Sequence, residues 1–461
     1  MRVVIVGNGP AAVSAVEAFR KVDPHSDLIM LSDEEFPAYA PNCMENVIRG
    51  DITEEALFYK GGFEFYERHK VDLRLKKEVV AIDNKRKVVV CKGGDEIPYD
   101  KCLLAAGAYA FVPPIPGREL GGVTTAKNLY DAFRIREWVL SGKVKRVVIV
   151  GAGPIGIEDA ETLRHMGLEV HVVEFFDRVL PRMLDKYMAD RYQKPLEEEG
   201  IQFHLNHQVV AIHGEDGWVE AVEIRPNGTD KSKFIRADMV LLSTGVRPRT
   251  NIVANTDIKI HIDEATGRVV GGILVNEYQQ TSDPDVYAAG DICSGIDAWG
   301  NVRWIALFPP AQQGGAIAGF NMAGLKVKNP GLVDYNAVKT RSATAGSAGV
   351  FEGAEESFTF EWDGKLVKVF LKEDSVCGYQ FVGLGSSKTL NPRNPFLKNP
   401  RVQNWAKGLL KDRGQGLEAS GVLFHHFIRL RERKMDQKLL KAIKLGMLRA
   451  LANPKYEVPI F

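Results

Sequence analysis

Two glycine-rich loops are the residues of this chain whose types and spacing most directly imply chemistry. The first, Gly7-Asn8-Gly9-Pro10-Ala11-Ala12, directly follows the apolar run Val3-Val4-Ile5-Val6. The second, Gly151-Ala152-Gly153-Pro154-Ile155-Gly156-Ile157-Glu158, follows Val147-Val148-Ile149-Val150. A strand that enters Gly-x-Gly-x-x-Gly/Ala and then a helix suits a bound pyrophosphate. The first glycine permits the tight turn, the second lets backbone approach the phosphates, and the third small residue lets helix pack on strand. The helix N-terminus adds N–H groups without helical partners and the positive end of its dipole. A single loop of this kind is weak evidence; two in one chain organise the reading.

Such a fold wants an acid at the end of the next strand, to accept ribose hydroxyls. After the second loop, Glu169–Val173 ends in Glu174, 23 residues beyond Gly151. A carboxylate there accepts the 2′-hydroxyl of NADH and repels the 2′-phosphate of NADPH. Arg178 is a cation that could soften the preference. After the first loop, Asp27–Leu31 is followed by Ser32, which is not acidic. Asp33 becomes the candidate, with Glu34 and Glu35 read as a solvated turn.

The loops need elements to hold them. Helices are expected over Ala126–Ser141, Asp159–Met166 and Lys186–Glu199. Runs at Val79–Ile82 and Lys87–Val90 predict a small antiparallel meander, and another is expected near 201–242. Each half closes on a strand ending in small residues: Lys101–Ala108, with Ala106 and Gly107, and Met239–Pro248, with Gly245. This is an internal duplication of about 120–150 residues. Beyond it, Ala289-Gly290-Asp291 puts a carboxylate at a tight turn. Pro309-Pro310-Ala311-Gln312 then opens a small-residue helix through Ala323, suited to close approach of a planar ring.

The 461 residues exceed one core, so two to four domains are expected. A hydrophobic content of 45% and net charge of +1 are those of an ordinary globular protein. With no charged leader and no apolar run near ~20 residues, a cytoplasmic protein is expected. The five cysteines, Cys43, Cys91, Cys102, Cys293 and Cys377, form no C-x-x-C pair. That argues against structural zinc, an iron–sulfur cluster or a neighbouring dithiol, and no metal site is expected. Cys43 has two readings: a thiolate activated at a helix N-terminus, or a small residue that packs. Spacing favours the second.

Together, Gly7-x-Gly9-x-x-Ala12, Gly151-x-Gly153-x-x-Gly156-x-Glu158, Thr244-Gly245 and Ala289-Gly290-Asp291 resemble the pyridine nucleotide–disulfide oxidoreductase superfamily over about residues 1–385. The resemblance implies an α/β fold: two Rossmann-like dinucleotide-binding domains with antiparallel meanders, a small α+β C-terminal domain and a helical basic tail. It implies an FAD-binding domain over 1–115 and 247–328, an NAD(H)-binding domain over 116–246, and an interface domain over 329–390 that often dimerises. FAD would be held by Gly7, Gly9, Pro10, Ala11, Ala12, Asp33, Ala106, Gly107, Asp291 and Gln312. NAD(H) would be held by Gly151, Gly153, Pro154, Ile155, Gly156, Glu174 and Gly245. Asp291 would bond the ribityl chain, and Glu158 would lie near the nicotinamide carboxamide. Asn42-Cys43 falls where coenzyme A disulfide reductases and NADH oxidases carry a single redox cysteine. Those continue Cys-Gly-Leu-Pro-Tyr, whereas Cys43 is followed by Met-Glu-Asn-Val. Pro37–Glu67 is more similar to nitrite-reductase-like and rubredoxin-reductase-like flavoproteins.

Residues 391–461 fit no part of that family. They carry 15 Lys and Arg against 5 Asp and Glu, a charge of +10, and leave the remainder at −9. Asn391–Pro395 reads as a linker, and helices are expected about 420–433 and 435–452, the second basic and amphipathic. The expected enzyme is an FAD-dependent NADH:acceptor oxidoreductase whose tail docks on an acidic redox protein or metalloenzyme subunit. Iron–sulfur and molybdenum or tungsten complexes, such as an aldehyde oxidoreductase, are the guess by resemblance. Two alternatives stay open. One is a stand-alone reductase using Cys43 on disulfides, peroxide or oxygen. The other is an interaction or nucleic-acid-binding module acting through the tail, although no aromatic interleaving of the kind that reads bases is present.

Overall fold

The computed structural model describes residues 1–384, apart from 298–299, 333, 363–364 and 373–374. The 391–395 linker, the helices expected near 420–433 and 435–452, and the rest of the basic extension lie outside the described residues. The chain divides into two compact units. Unit 1 takes Met1–Pro114, Thr124–Lys143 and Thr244–Val333; unit 2 takes Ile115–Val123, Val144–Ser243 and the chain from Asp334. The sequence assigns all of 116–246 to one domain, yet residues 124–143 belong to unit 1. The reason is packing: the Leu129–Leu140 helix lies against the Met44–Arg49 helix, and Arg136 Nη1 donates to Ile48 O at 3.1 Å.

Unit 1 is built on five parallel strands in the order Val286–Ala288, Lys101–Leu104, Arg2–Val6, Asp27–Leu31, Val71–Arg74. A parallel sheet covered on both faces needs an unbroken apolar run, and the first strand supplies one. Val3 and Ile5 face a core with Phe19, Leu28, Phe65 and Ala318. Val4 and Val6 face the opposite core, with Ile82, Val89, Ile273 and Ile292. All four are at most 3% exposed, so each contributes about 1.5–3 kcal/mol of apolar burial. The expected meander is Val79–Asp83, Val88–Cys91 and Glu96–Pro98, antiparallel throughout.

Two helices cover one face, Pro10–Arg20 and Phe308–Met322, each with proline at its first turn. Their small residues serve contact between backbones. A Cβ on Gly315 would lie 2.0 Å from Ala11 O, and one on Gly319 2.2 Å from Ala15 O.

Unit 2 repeats the plan. Its strand Arg146–Val150 has the same pentapeptide as Arg2–Val6, RVVIV. It lies parallel between Glu169–Val173 and Met239–Leu242, with Gln202–His204 beyond Glu169–Val173. The helix after the loop is Pro154–His165, starting five residues before the expected Asp159 because Gly153 caps it and Pro154 takes the first position. The meander is His207–Glu215, Trp218–Pro226 and Lys233–Arg236, and its Val222 and Ile224 pack against Val148 and Val150. A five-stranded antiparallel sheet follows, ordered Tyr335–Lys339, Ala343–Gly349, Ser375–Leu384, Lys365–Lys372, Glu356–Trp362. The Lys186–Glu198 helix is anchored to it through its N-cap: Asp185 N donates to Gln380 Oε1 at 3.1 Å, and the Asp185 carboxylate pairs with Lys368. Among the described residues no helix is long and apolar enough to cross a membrane.

The helix crossing in unit 1 yields a stability prediction. Gly319→Ala should destabilise the protein by about 1–3 kcal/mol, because the added methyl meets backbone that cannot rotate away. Gly383→Ala, where nothing lies within 4 Å, is the control. Thermal unfolding midpoints compare them; equal midpoints would refute the close crossing.

Candidate dinucleotide sites

In unit 1 the turn after Arg2–Val6 is sterically obligatory for glycine. Gly7 has φ +110°, and a Cβ there would sit 2.2 Å from Ala105 O. Gly9 caps the helix and has open space where a side chain would be. Pro10 carries no N–H, so the amides of Ala11 and Ala12 open the helix toward that space. Asn8 is braced from a distance: its Oδ1 accepts from Tyr66 Oη at 2.6 Å, and its Nδ2 donates to Phe36 O at 3.2 Å.

The acids in this unit differ from expectation. Ser32 is buried, and its Oγ accepts from Glu34 N at 3.2 Å. Asp33 is exposed and paired with Arg249 Nη1 at 2.8 Å. Glu34, expected in a solvated turn, is turned inward and accepts from the Tyr39 hydroxyl at 3.0 Å. Burial raises its pKa. Glu35 is in solvent, paired with Lys76 at 2.6 Å. Gly290, at φ +81°, sets Asp291 with its carboxyl 4.0 Å from Lys127 Nζ. Burial raises the Asp291 pKa and Lys127 opposes it. Among the described residues no hydrogen bond reaches this carboxylate, so it lacks hydroxyl-type donors, which a ribityl chain would offer. Gln312 Nε2 donates to Tyr59 Oη. Gly107 is at φ +70° with open space beside it, and its carbonyl accepts from Arg249 N at 3.1 Å; Ala106 packs against the core. Gly245, expected on the NAD(H) side, falls in unit 1, where its carbonyl accepts from Phe111 N at 2.8 Å.

Cys43 is half-buried in the Pro41–Cys43 turn and caps the six-residue Met44–Arg49 helix. The acid in that helix's first turn is Glu45. None of the five cysteines is in a disulfide. Burial raises the thiols of Cys91, Cys102 and Cys377, and that of Cys293 up to about 12.

In unit 2, Gly151 has φ +109° and its N–H donates to Val173 O at 2.8 Å. A Cβ on Gly156 would lie 2.1 Å from Gly151 O, whereas Gly153 has open space. Pro154 begins the helix and Ile155 is exposed. Glu174 is buried, with Oε2 accepting from Ala152 N at 2.7 Å and Oε1 from Phe176 N at 2.9 Å. Two lone pairs are spent and two remain, so the carboxylate can brace its own loop and still accept hydroxyls. The rings of Phe175 and Phe176 are exposed beside it. Arg178 is committed elsewhere, to Leu184 O at 3.0 Å, Pro181 O at 3.3 Å and Asp177 at 2.7 Å. Glu158 Oε1 accepts from Lys339 N at 3.5 Å.

The glycines, Glu174 and Asp291 were legible from motif spacing. Tyr66 and Lys127 were not, since each reaches its partner from a distant segment, and the Glu34–Tyr39 pair, five residues apart, belongs to no motif. Both loops therefore fit a dinucleotide: an open phosphate approach at a helix N-terminus, and a carboxylate with accepting capacity in each unit.

Comparison with known proteins agrees. The model of the family described as pyridine nucleotide-disulphide oxidoreductase matches residues 1–315. The NADH oxidase of Methanocaldococcus jannaschii is 35% identical over 334 residues, 71% of each chain. The rubredoxin-NAD(+) reductase of Pseudomonas putida is 31% identical over 292 residues, 63% of this chain and 71% of its own. The solved NAD-dependent persulfide reductase from A. fulgidus superposes with a TM-score of 0.76 at 27% identity, covering 91% of this chain and 80% of that one. The chain is thus a member of the pyridine nucleotide-disulphide oxidoreductase family, an oxidoreductase that uses FAD and NAD(H).

Proposed function

We propose that this oxidoreductase moves electrons between NAD(H) and an external redox protein or metalloenzyme subunit, with FAD on unit 1 and NAD(H) on unit 2. Bound FAD supplies the chemistry, taking two electrons as hydride and able to release them singly. The residues of the chain bind and orient. The Gly7–Ala12 and Gly151–Gly156 loops offer helix N-termini to phosphate. Asp291 and Glu174 accept hydroxyls, and Glu158 is assigned a place near the nicotinamide carboxamide.

The observation that carries an external acceptor is the setting of the thiols. Three are buried in strand-rich cores, and Cys43 sits at a six-residue helix whose first turn is acidic. The rubredoxin-NAD(+) reductase relative supports a protein acceptor. The NADH oxidase and persulfide reductase likenesses support the second reading, a stand-alone enzyme acting through Cys43. Cys43→Ser separates the two. Turnover with NADH and both a dye and the native acceptor should stay within about twofold; a loss of a hundredfold or more with the native acceptor would install the thiol reading.

The +10 extension is the docking element in this proposal. Deleting residues 391–461 should leave NADH:dye activity intact and abolish co-purification of the partner. In the full chain, partner binding should weaken as salt rises. Unchanged co-purification would remove the tail from the account.

For the nicotinamide cofactor, Glu174 with Arg178 turned away favours NADH. Glu174→Ala should lower kcat/KM for NADH by about 10- to 100-fold, the value of hydrogen bonds to a charged group. The NADH:NADPH ratio should fall with it. An unchanged ratio would show that selection lies elsewhere.

A further inference from the structure

A second cluster in unit 2 stands apart from the glycine loop. Glu161 and His165 are one turn apart on the Pro154–His165 helix, and Glu199 ends the Lys186–Glu198 helix. One ligand atom from each lies within 4.8 Å of the others. We propose that Glu161, His165 and Glu199 form a divalent-cation site, with zinc the first candidate.

Three observations carry this. First, the imidazole is oriented as a ligand. His165 Nδ1 is 2.9 Å from Glu161 O, so Nδ1 donates to that carbonyl and the ring turns Nε2 toward the carboxylates. Metal-binding histidines are commonly fixed in this way. Second, Glu199 Oε2 is buried without a hydrogen-bond partner, 3.8 Å from His165 Nε2, too far for a hydrogen bond. Arg164 is adjacent but donates to Glu199's main-chain carbonyl at 2.8 Å. Third, Glu161 is 5% exposed and held in place by the N–H of Arg341.

Zinc binds histidine nitrogen and carboxylate oxygen at about 2.0–2.2 Å, so tetrahedral ligands stand about 3.5 Å apart. Closing 4.8 Å to that spacing needs about 1 Å of movement from His165 and Glu199, whose side chains are 28% and 24% exposed. Water would take the fourth position. The ion would tie the ends of two helices to the turn at Arg341. Reading the sequence for cysteine pairs cannot find such a site, since its ligands are carboxylates and an imidazole assembled by the fold. The competing account is a protonated His165 acting as counter-ion to Glu199.

The test uses the full-length, FAD-loaded protein, stripped with chelator and titrated with zinc against a chromophoric chelator. One zinc per chain should bind and raise the thermal midpoint. His165→Ala and Glu199→Gln, both at the solvent rim, should each weaken binding at least tenfold and remove the zinc-dependent midpoint shift. Cobalt in place of zinc should give visible d–d bands without the near-ultraviolet thiolate band, which separates this site from the cysteines. Zinc bound equally by wild type and His165→Ala, or no zinc bound by wild type, would overturn the site and leave the counter-ion account.

Discussion

The structure depends on places where backbone passes backbone so closely that a Cβ has no room. Gly7 lies against Ala105 O, Gly156 against Gly151 O, and Gly315 and Gly319 against the carbonyls of Ala11 and Ala15. Each approach brings the N-terminal end of a helix to the end of a strand. In the first half it also brings the Phe308–Met322 helix onto the Pro10–Arg20 helix. Once these crossings are made, the loop amides have one direction left to face. The apolar pentapeptide RVVIV, used twice, is the other half of the same constraint. Buried on both faces, it cannot slide or flip, so the loop that follows is presented at a fixed height.

On this shared frame the two halves have parted in their handling of charge. In unit 2 the strand ends in Glu174, and two backbone N–H groups hold its carboxylate against the loop. In unit 1 the equivalent place is Ser32. Its hydroxyl takes the N–H of Glu34, and the turn directs that carboxyl inward to Tyr39 rather than toward a ribose. Asp33 is left at the surface with Arg249. The unit's unsatisfied acid is instead Asp291, half-buried with Lys127 as its nearest cation. Burying a carboxylate without hydrogen bonds is costly, and bound hydroxyls are what would offset that cost. The halves therefore place their acids differently, at the strand end in unit 2 and at the Gly290 turn in unit 1.

Much of this was legible in the sequence where local sterics decide. Gly7, Gly9, Gly151, Gly153 and Gly156 announce themselves by spacing, and Glu174 by its distance from the second loop. The meanders show in their β-branched runs. What could not be read depends on contacts between distant segments. Residues 124–143 join unit 1 because Arg136 reaches Ile48, a pairing with no local signature. Glu34 looked like a turn residue because nothing in the sequence marks its pairing with Tyr39, five residues on. Tyr66 reaches Asn8 across 58 residues, and Glu199 meets His165 only where two helices end side by side. The helix start at Pro154 is the opposite kind of miss. Its signal, glycine then proline, was present and local, but the phosphate motif that contains it drew the reading past it.

The thiols bear on whether such a chain hands its electrons on directly or through a cysteine. A cysteine takes part in redox exchange as thiolate, so it needs a lowered pKa and access. Cys91, Cys102 and Cys293 have neither, because the apolar strands that build the sheets also bury them. Cys43 has access, but its helix is short and begins with an acid. On the proposed reading, in which no thiol relays them, the electrons of NADH leave through the bound cofactor itself. On the same proposal, the charge contrast between the −9 remainder and the +10 extension would guide a partner of complementary charge at a range set by the ionic atmosphere rather than by contact.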